Sequence, residues 1–183
     1  VTPVRVAETH ISWVLLTGPY AYKIKKPVRL SFLDYSTLER RRFFCEEEVR
    51  LNGRHAPDLY LGVSTIAGPP EAPVVDGPGP PLECAVRMRQ FDPREELDAL
   101  VASRAVDARE LEALGAHLAR FHSCAAHADP TSDWGRPETV HRVIRDNFSE
   151  LTRLPETGDF RATIADLRQW VDRTQDRLGP CIA

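Results

Sequence analysis

The sequence predicts an α+β protein in which a five-stranded antiparallel sheet with one helix is followed by helices alone. Short segments of alternating apolar and polar residues, typical of half-buried strands, occur up to residue 91. A single capped helix separates the third of these segments from the fourth. After Pro93 the apolar residues recur at helical spacing, and no strand is predicted. We therefore expect two parts, residues 1–91 with the order β-β-β-α-β-β and residues 92–183 with helices.

The composition is that of a globular protein with a substantial core. Of the 183 residues, 42% are hydrophobic and 28% are charged. A net charge of −3 argues against a general nucleic-acid binder, and no apolar run is long enough to cross a bilayer. No signal peptide opens the chain and the cysteines form no C-x-x-C pair, which favours the reducing cytoplasm. The cysteines are Cys45, Cys84, Cys124 and Cys181.

Three strands are predicted near the start of the chain. Val4–Glu8 alternates apolar and polar residues, and a tight connection leads from it to Ser12–Leu16. A third segment, Tyr20–Lys25, follows the turn sequence Thr17-Gly18-Pro19. The second and third strands are therefore expected to form a hairpin.

All three lysines of the chain lie at positions 23, 25 and 26, whereas the other 21 basic residues are arginine. Lysine presents a compact, mobile charge and arginine a broad planar fork. The lysines are therefore candidates for contacts with phosphate oxygens in a narrow cleft; the alternative is a strand edge kept soluble by charge. Side chains alternate across a strand, so Ala21, Lys23 and Lys25 share one face. The small Ala21 leaves room for a flat ligand beside the Lys23 ammonium.

One helix is predicted between the third and fourth strands. Ser36-Thr37-Leu38-Glu39 has the form of a capping box, and the helix is expected to continue to about Arg54. The run Glu46-Glu47-Glu48 is mainly a solvated face, but one of its carboxylates is a candidate partner of Lys23. The residues predicted to face inward are Phe44, Val49 and Leu51.

Two further strands, Tyr60–Ile66 and Leu82–Phe91, complete the predicted sheet. Residues 68–81 between them are rich in glycine and proline and are expected to form a long loop. The residues of the last strand that share one face are Cys84, Val86 and Met88.

Four helices are predicted in residues 92–183, the first of which begins at Pro93 after the N-cap Asp92. The second begins after Asp107 and carries an apolar stripe, beside which His122 is expected to be packed, and two more amphipathic helices follow. The residues of this stripe are Leu111, Leu114, Leu118 and Phe121. Because these helices have no sheet of their own to pack on, we expect exposed apolar surface in this part of the chain.

The first part of the chain resembles the protein-kinase-like fold, and more closely the aminoglycoside phosphotransferases. Tyr20-Ala21-Tyr22-Lys23 has the form of the kinase motif V-A-I-K, whose lysine pairs nucleotide phosphates with a helix glutamate. The likeness is more specific to a bacterial family that joins such a domain to a C-terminal P-loop ATPase. It is carried by residues 8–18, Ala21–Pro27, Phe32-Leu33-Asp34, Ser36–Arg41, Cys45–Leu51, residues 57–63 and, more loosely, Leu118–His122.

The resemblance implies an ATP site with a defined set of residues. Lys23 corresponds to the lysine that contacts the nucleotide phosphates, and Glu48 to its helix partner, with Glu46 as the alternative. Ser12 lies where the phosphate-loop hydroxyl is found. The end of the last strand, at Met88, Gln90 and Phe91, corresponds to the hinge whose backbone meets adenine.

The resemblance also implies Mg²⁺ and a catalytic aspartate, and here the sequence departs from it. Phosphoryl transfer needs a base aspartate and metal ligands, which the family supplies through H-G-D-x-x-x-x-N and a later aspartate. His127-Ala128-Asp129 resembles only the start of that motif, and Pro130 follows at once. We therefore expect an N-terminal fragment of a longer protein, with the catalytic loop and magnesium ligands beyond Ala183.

Three functions remain open on the sequence. One is the ATP-binding portion of a phosphotransferase that acts on an unidentified small molecule. The second is a non-catalytic nucleotide-sensing or scaffolding module that regulates a fused P-loop ATPase. The third is a helical interaction domain whose lysines keep the chain soluble. In the first two, the predicted partner is a nucleotide, and neither nucleic acid nor a membrane is expected to bind.

Overall fold

A computed structural model of the chain describes residues 3–129 and 131–182. The structure is α+β, and its strands are antiparallel, as the sequence predicts. Two compact units are present, Val1–Asp107 and Ala108–Ala183, and the strands of the described residues belong to the first. None of the helices formed by residues 3–129 and 131–182 has the length and apolar character needed to cross a membrane.

The strands of the first unit form one six-stranded sheet and one small hairpin. The strands are β1 (Arg5–Glu8), β2 (Ser12–Leu16), β3 (Tyr20–Lys25), β4 (Arg29–Leu30), β5 (Leu33–Asp34), β6 (Tyr60–Ala67), β7 (Val74–Val75) and β8 (Pro81–Arg89). In the sheet the order is β1-β2-β3-β8-β6-β7, and β4 pairs with β5. β8, the last strand in the chain, thus lies beside β3, which carries Lys23 and Lys25.

The predicted count of five strands is wrong, because three short strands were not recognised. β7 pairs with the end of β6, where Ile66 lies opposite Val75. β4 and β5 form a hairpin in the segment that leads to the helix. A strand of two residues contains no full apolar–polar alternation, so its presence depends on its pairing partner and not on its own sequence pattern.

The hairpin of β2 and β3 has the limits that the sequence predicts. Ser12 lies opposite Lys25, and Leu16 lies opposite Ala21. The turn between the strands is closed by a hydrogen bond of 2.9 Å from the Thr17 amide to the Tyr20 carbonyl. Gly18 has a φ of 99°, a conformation that residues with a Cβ rarely adopt.

The helix between β5 and β6, α1, runs from Leu38 to Asn52. Its N-cap is Thr37 and not Ser36, because the Thr37 hydroxyl accepts from the Arg40 amide at 3.3 Å. The Ser36 hydroxyl instead donates to Asp34 at 2.6 Å. The capping segment was therefore recognised in the sequence, but its register was one residue off.

One face of the sheet is covered by α1, and the core of the first unit lies between them. Cys45 on α1 and Cys84 and Val86 on β8 are buried there, and the half-buried Val49 packs against them. Leu51 is 38% exposed, so the prediction that it faces inward is wrong. The partly buried residues that complete this cluster are Leu38, Tyr60, Val63 and Met88.

The unit that begins at Ala108 is helical. Its helices are α3 (Ala108–Cys124), α4 (Pro137–Arg153) and α5 (Arg161–Ile182). α4 packs against α5, and Nε2 of His141 lies 3.0 Å from Oδ1 of Asp172 between them. His122 on α3 is exposed, which contradicts the prediction that it is packed. The short helix α2 (Leu97–Ala102) precedes these helices and belongs to the first unit.

Candidate functional site

The predicted contact between Lys23 and a glutamate of the helix is present, and the glutamate is Glu48. The Lys23 Nζ lies 2.9 Å from Oε1 of Glu48. β3 brings Lys23 to the face that α1 covers, and Glu48 lies one helical turn beyond the buried Cys45. The alternative, Glu46, is more than half exposed and pairs with Arg42 along the helix. Helical periodicity thus separates the two glutamates, turning only Glu48 toward the sheet.

Lys25 shares the same carboxylate, which the sequence analysis did not predict. Its Nζ lies 2.7 Å from Oε2 of Glu48 and 4.9 Å from the centre of the Tyr35 ring. Lys25 is 3% exposed, whereas the Lys23 side chain keeps 30% of its surface in solvent. Both lysines therefore lie on one face of β3, where Lys25 is buried and Lys23 is partly exposed to solvent.

Glu48 and Lys25 hold each other in their charged forms. Burial raises the pKa of the Glu48 carboxyl, but the hydrogen bonds from Lys25 and Lys23 outweigh it and leave the pKa below the ordinary value. Burial likewise lowers the pKa of the Lys25 ammonium, and the hydrogen bond and charge of Glu48 more than reverse this effect. The result is a largely buried cluster of two cations and one anion.

Lys26, the third lysine, contacts Glu8 and Trp13 and not Glu48. Its Nζ donates to Glu8 on β1, and it lies 5.2 Å from the centre of the Trp13 ring. Because Lys26 directly follows Lys25, it is directed to the opposite side of the hairpin. Lys26 therefore takes no part in the cluster around Glu48.

Ser12 lies directly opposite Lys25 on β2, on the face that carries the lysines. It is completely buried, and its hydroxyl has no hydrogen-bond partner among the described residues. The neighbouring Thr9 hydroxyl, by contrast, is occupied, because it accepts from the Ser12 amide at 3.0 Å and closes the β1–β2 turn. A buried hydroxyl without a partner costs about 1–3 kcal/mol, so a group that reaches Ser12 would gain that hydrogen bond.

Ala21 and the last strand of the sheet form the neighbouring part of the same face. Ala21 is buried and lies opposite Met88 of β8, two residues along β3 from Lys23. Met88 is half-buried and packs into the core beneath α1. The sheet thus brings the small alanine, the lysine and the end of β8 side by side.

In the segment after β8, Gln90 is hydrogen-bonded to the rest of the sheet, whereas Phe91 is exposed. The Gln90 amide donates to the Pro19 carbonyl at 3.1 Å, and the Gln90 side chain accepts from the Gly18 amide at 3.0 Å. Gln90 therefore fastens the exit of β8 to the β2–β3 turn. Phe91 is 48% exposed, and its backbone takes part in none of the hydrogen bonds among the described residues.

Two other features of the described residues lie apart from these side chains. A cavity of about 360 Å³ is lined by residues 29–34 and Phe44, and none of the predicted site residues lines it. Asp129 is held by the Thr131 amide and hydroxyl, at 2.7 and 2.6 Å. Across residues 3–129 and 131–182, no three His, Cys, Asp or Glu side chains are grouped so as to hold a metal ion.

Comparisons with known proteins give relatives but no family. No protein-family model matches the chain, and no solved structure matches it. Three curated mycobacterial proteins are 34% identical to it over 146 residues: the uncharacterized proteins Rv2004c and MT2060 of two Mycobacterium tuberculosis strains and Mb2027c of Mycobacterium bovis. The aligned region is 80% of this chain and 28% of each relative, so the chain spans just over a quarter of the length of these relatives. Their names assign no activity.

Proposed function

We propose that this chain is the ATP-binding portion of a kinase-like phosphotransferase. The observation that carries the proposal is the distance of 2.9 Å between Nζ of Lys23 on β3 and Oε1 of Glu48 on α1. In protein kinases the corresponding Lys–Glu ion pair must be in place for phosphoryl transfer. A half-exposed ammonium held by a buried carboxylate is suited to meet a phosphate group from the solvent side.

The surroundings of Lys23 support a nucleotide as the ligand. Ala21 has a small side chain on the same face, two residues along β3 from Lys23, and we propose that the flat base lies beside it. Just after β8, the amide and carbonyl of Phe91 make no hydrogen bond to the described residues, and we propose that they pair with the edge of the purine.

Phosphoryl transfer itself is proposed for the whole protein. The acceptor is proposed to be a small molecule, and Mg²⁺ is proposed to bind with the nucleotide. The described residues group no metal ligands, so we assign no step of the reaction to a metal held by them.

Calorimetric titration with ATP in the presence of magnesium tests the proposal. Lys23→Ala is expected to weaken ATP binding about ten- to hundredfold, because it removes one charge-assisted contact worth about 1.5–3 kcal/mol. Lys26→Ala is the matched control, since it removes an equal charge on the opposite side of the hairpin. If the parent chain binds no ATP, or if the two variants weaken it equally, the proposal fails. Release of ADP on adding candidate acceptors to the whole protein separates a phosphotransferase from a nucleotide sensor.

A further inference from the structure

The cluster around Glu48 has more positive than negative charge. One carboxylate receives two ammonium groups, at 2.9 Å from Lys23 and 2.7 Å from Lys25. A single Lys–Glu pair presents no net charge to an approaching anion, whereas this cluster presents a net charge of +1. The cluster is only partly exposed to solvent, so salt screens its charge less than it would a fully exposed charge.

The deeper lysine is the one that neutralises the carboxylate. Lys25 makes the shorter contact, is almost completely buried, and lies against the Tyr35 ring at 4.9 Å. Packing on all sides fixes its position, and its contact with Glu48 keeps it protonated. Lys23 makes the longer contact and is the more exposed of the two. Its charge is therefore the one available to a ligand.

We propose that Lys25 is a positioning residue that neutralises Glu48, leaving the charge of Lys23 free to bind the polyphosphate of a nucleotide without a divalent cation. This inference rests on the proposed function, and it adds that the bare polyphosphate anion is recognised. The hydroxyl of Ser12, which has no hydrogen-bond partner among the described residues, lies directly across from Lys25 on the same face, beside the cluster. Recognition of the anion by fixed charge does not depend on the base, so inorganic triphosphate is expected to compete with ATP.

The first measurement uses the unmodified protein and needs no variant. ATP is titrated calorimetrically once with magnesium chloride and once with EDTA, and inorganic triphosphate is added as a competitor in EDTA. We expect the affinity in EDTA to lie within about tenfold of the affinity with magnesium, and triphosphate to displace ATP. Binding that requires magnesium overturns the inference but leaves the proposed function standing. The absence of ATP binding under both conditions overturns the proposed function itself.

The second measurement assigns the effect to Lys25. Lys25→Met keeps the length of the side chain and removes its charge, and Lys26→Met makes the same change on the opposite side of the hairpin. We expect Lys25→Met to lower the affinity for ATP at least tenfold in EDTA and clearly less with magnesium, since the metal itself neutralises phosphate charge. Lys26→Met is expected to change both affinities less than twofold, and Lys25→Arg to retain most of the binding in EDTA. An equal loss with and without magnesium, or an equal loss in both methionine variants, contradicts the role of Lys25.

Discussion

Arg41 on α1 and Glu83 on β8 join the helix to the sheet through a largely buried ion pair. The Nε and Nη2 atoms of Arg41 each lie 2.8 Å from Oε2 of Glu83. The same guanidinium donates through Nη1 to the Tyr35 carbonyl at 2.9 Å. This pair anchors the N-terminal half of α1, whereas Glu48 and its two lysines hold the C-terminal half. The orientation of Glu48 therefore depends on both contacts.

Replacing Arg41 is expected to destabilise the first unit markedly. Arg41→Leu leaves the Glu83 carboxylate poorly compensated, and loss of one partner of a buried pair costs about 3–5 kcal/mol. Because Glu83 keeps some solvent contact, we expect the lower end of that range. Arg42→Leu is the control, since the exposed Arg42–Glu46 pair is worth at most about 1 kcal/mol. Urea unfolding followed by circular dichroism measures both, and equal midpoints for the two variants would contradict the prediction.

Lys23→Arg is expected to weaken ATP binding almost as much as Lys23→Ala. The broad guanidinium fork does not reproduce a compact ammonium held between Glu48 and a phosphate. Lys26→Arg should bind ATP like the parent chain, because arginine can also pair with Glu8 and lie against Trp13. Calorimetry on the two arginine variants makes the comparison. A larger loss for Lys26→Arg would place the nucleotide on the other side of the hairpin.

Stability is expected to fall in acid through Glu48 and in strong base through Lys25. The pKa of Glu48 is lower in the folded protein than its ordinary value of 4.5, so its contribution is complete above that pH and is lost as the pH falls through the folded pKa. The pKa of Lys25 is raised above 10.5, so its contribution is complete below that pH and is lost at higher pH. The free energy of unfolding, measured against pH, should show a less steep acid limb in Glu48→Gln. Parallel acid limbs in the parent and the variant would exclude Glu48 as a source of this dependence.

The described cysteines are expected to react with thiol reagents at very different rates. Cys124 is exposed, whereas Cys45 and Cys84 are buried with their sulfur atoms 3.9 Å apart. The hydrogen bond that Cys84 donates to Cys45, together with burial, raises the pKa of the Cys84 thiol, which further slows its reaction. In a Cys181→Ser background, Ellman's reagent should titrate one thiol rapidly and two more only in urea. Three rapid thiols in the native protein would show that the core beneath α1 is open.

The apolar stripe of α3 is expected to drive self-association of the chain. Leu111, Leu114 and Leu118 are each at least two-fifths exposed, and contiguous apolar surface of this kind associates in water. Sedimentation should show oligomers at high protein concentration, and Leu111→Glu with Leu114→Glu should reduce them. Val101→Glu is the control, because Val101 is equally exposed but lies on the short helix α2. A monomer at all concentrations that binds no hydrophobic dye would contradict the prediction.

Local patterns predicted the parts of this fold whose causes are local. The limits of β2 and β3 follow from alternation and from the turn at Gly18, and α1 follows from its capping segment. The pairing of β7 with β6 depends on residues far apart in the chain, so no local pattern indicated it. The exposure of Leu51 has the same origin, because only the packed structure determines which helix positions lie near the end of the sheet.

The candidate site also has one contact that the sequence analysis predicted and one that it did not. The resemblance named Glu48 as the helix partner of Lys23, with Glu46 as the alternative, and the structure contains the Glu48 contact. That Lys25 takes the second oxygen of the same carboxylate depends on how α1 lies across β3, which the sequence does not determine.

Because all lysines of the chain lie on or next to β3, a reagent that modifies lysine side chains acts at the candidate site and its immediate neighbourhood. Their side chains are exposed by 30% at Lys23, 15% at Lys26 and 4% at Lys25. An activated ester at limiting concentration should therefore acylate Lys23 before the other two, and mass spectrometry of the peptides would report the order. Bound ATP should protect that one position. For the same reason, fluorescent dyes and surface couplings that use lysine will block the candidate site, and a probe for binding studies is better attached at Cys124.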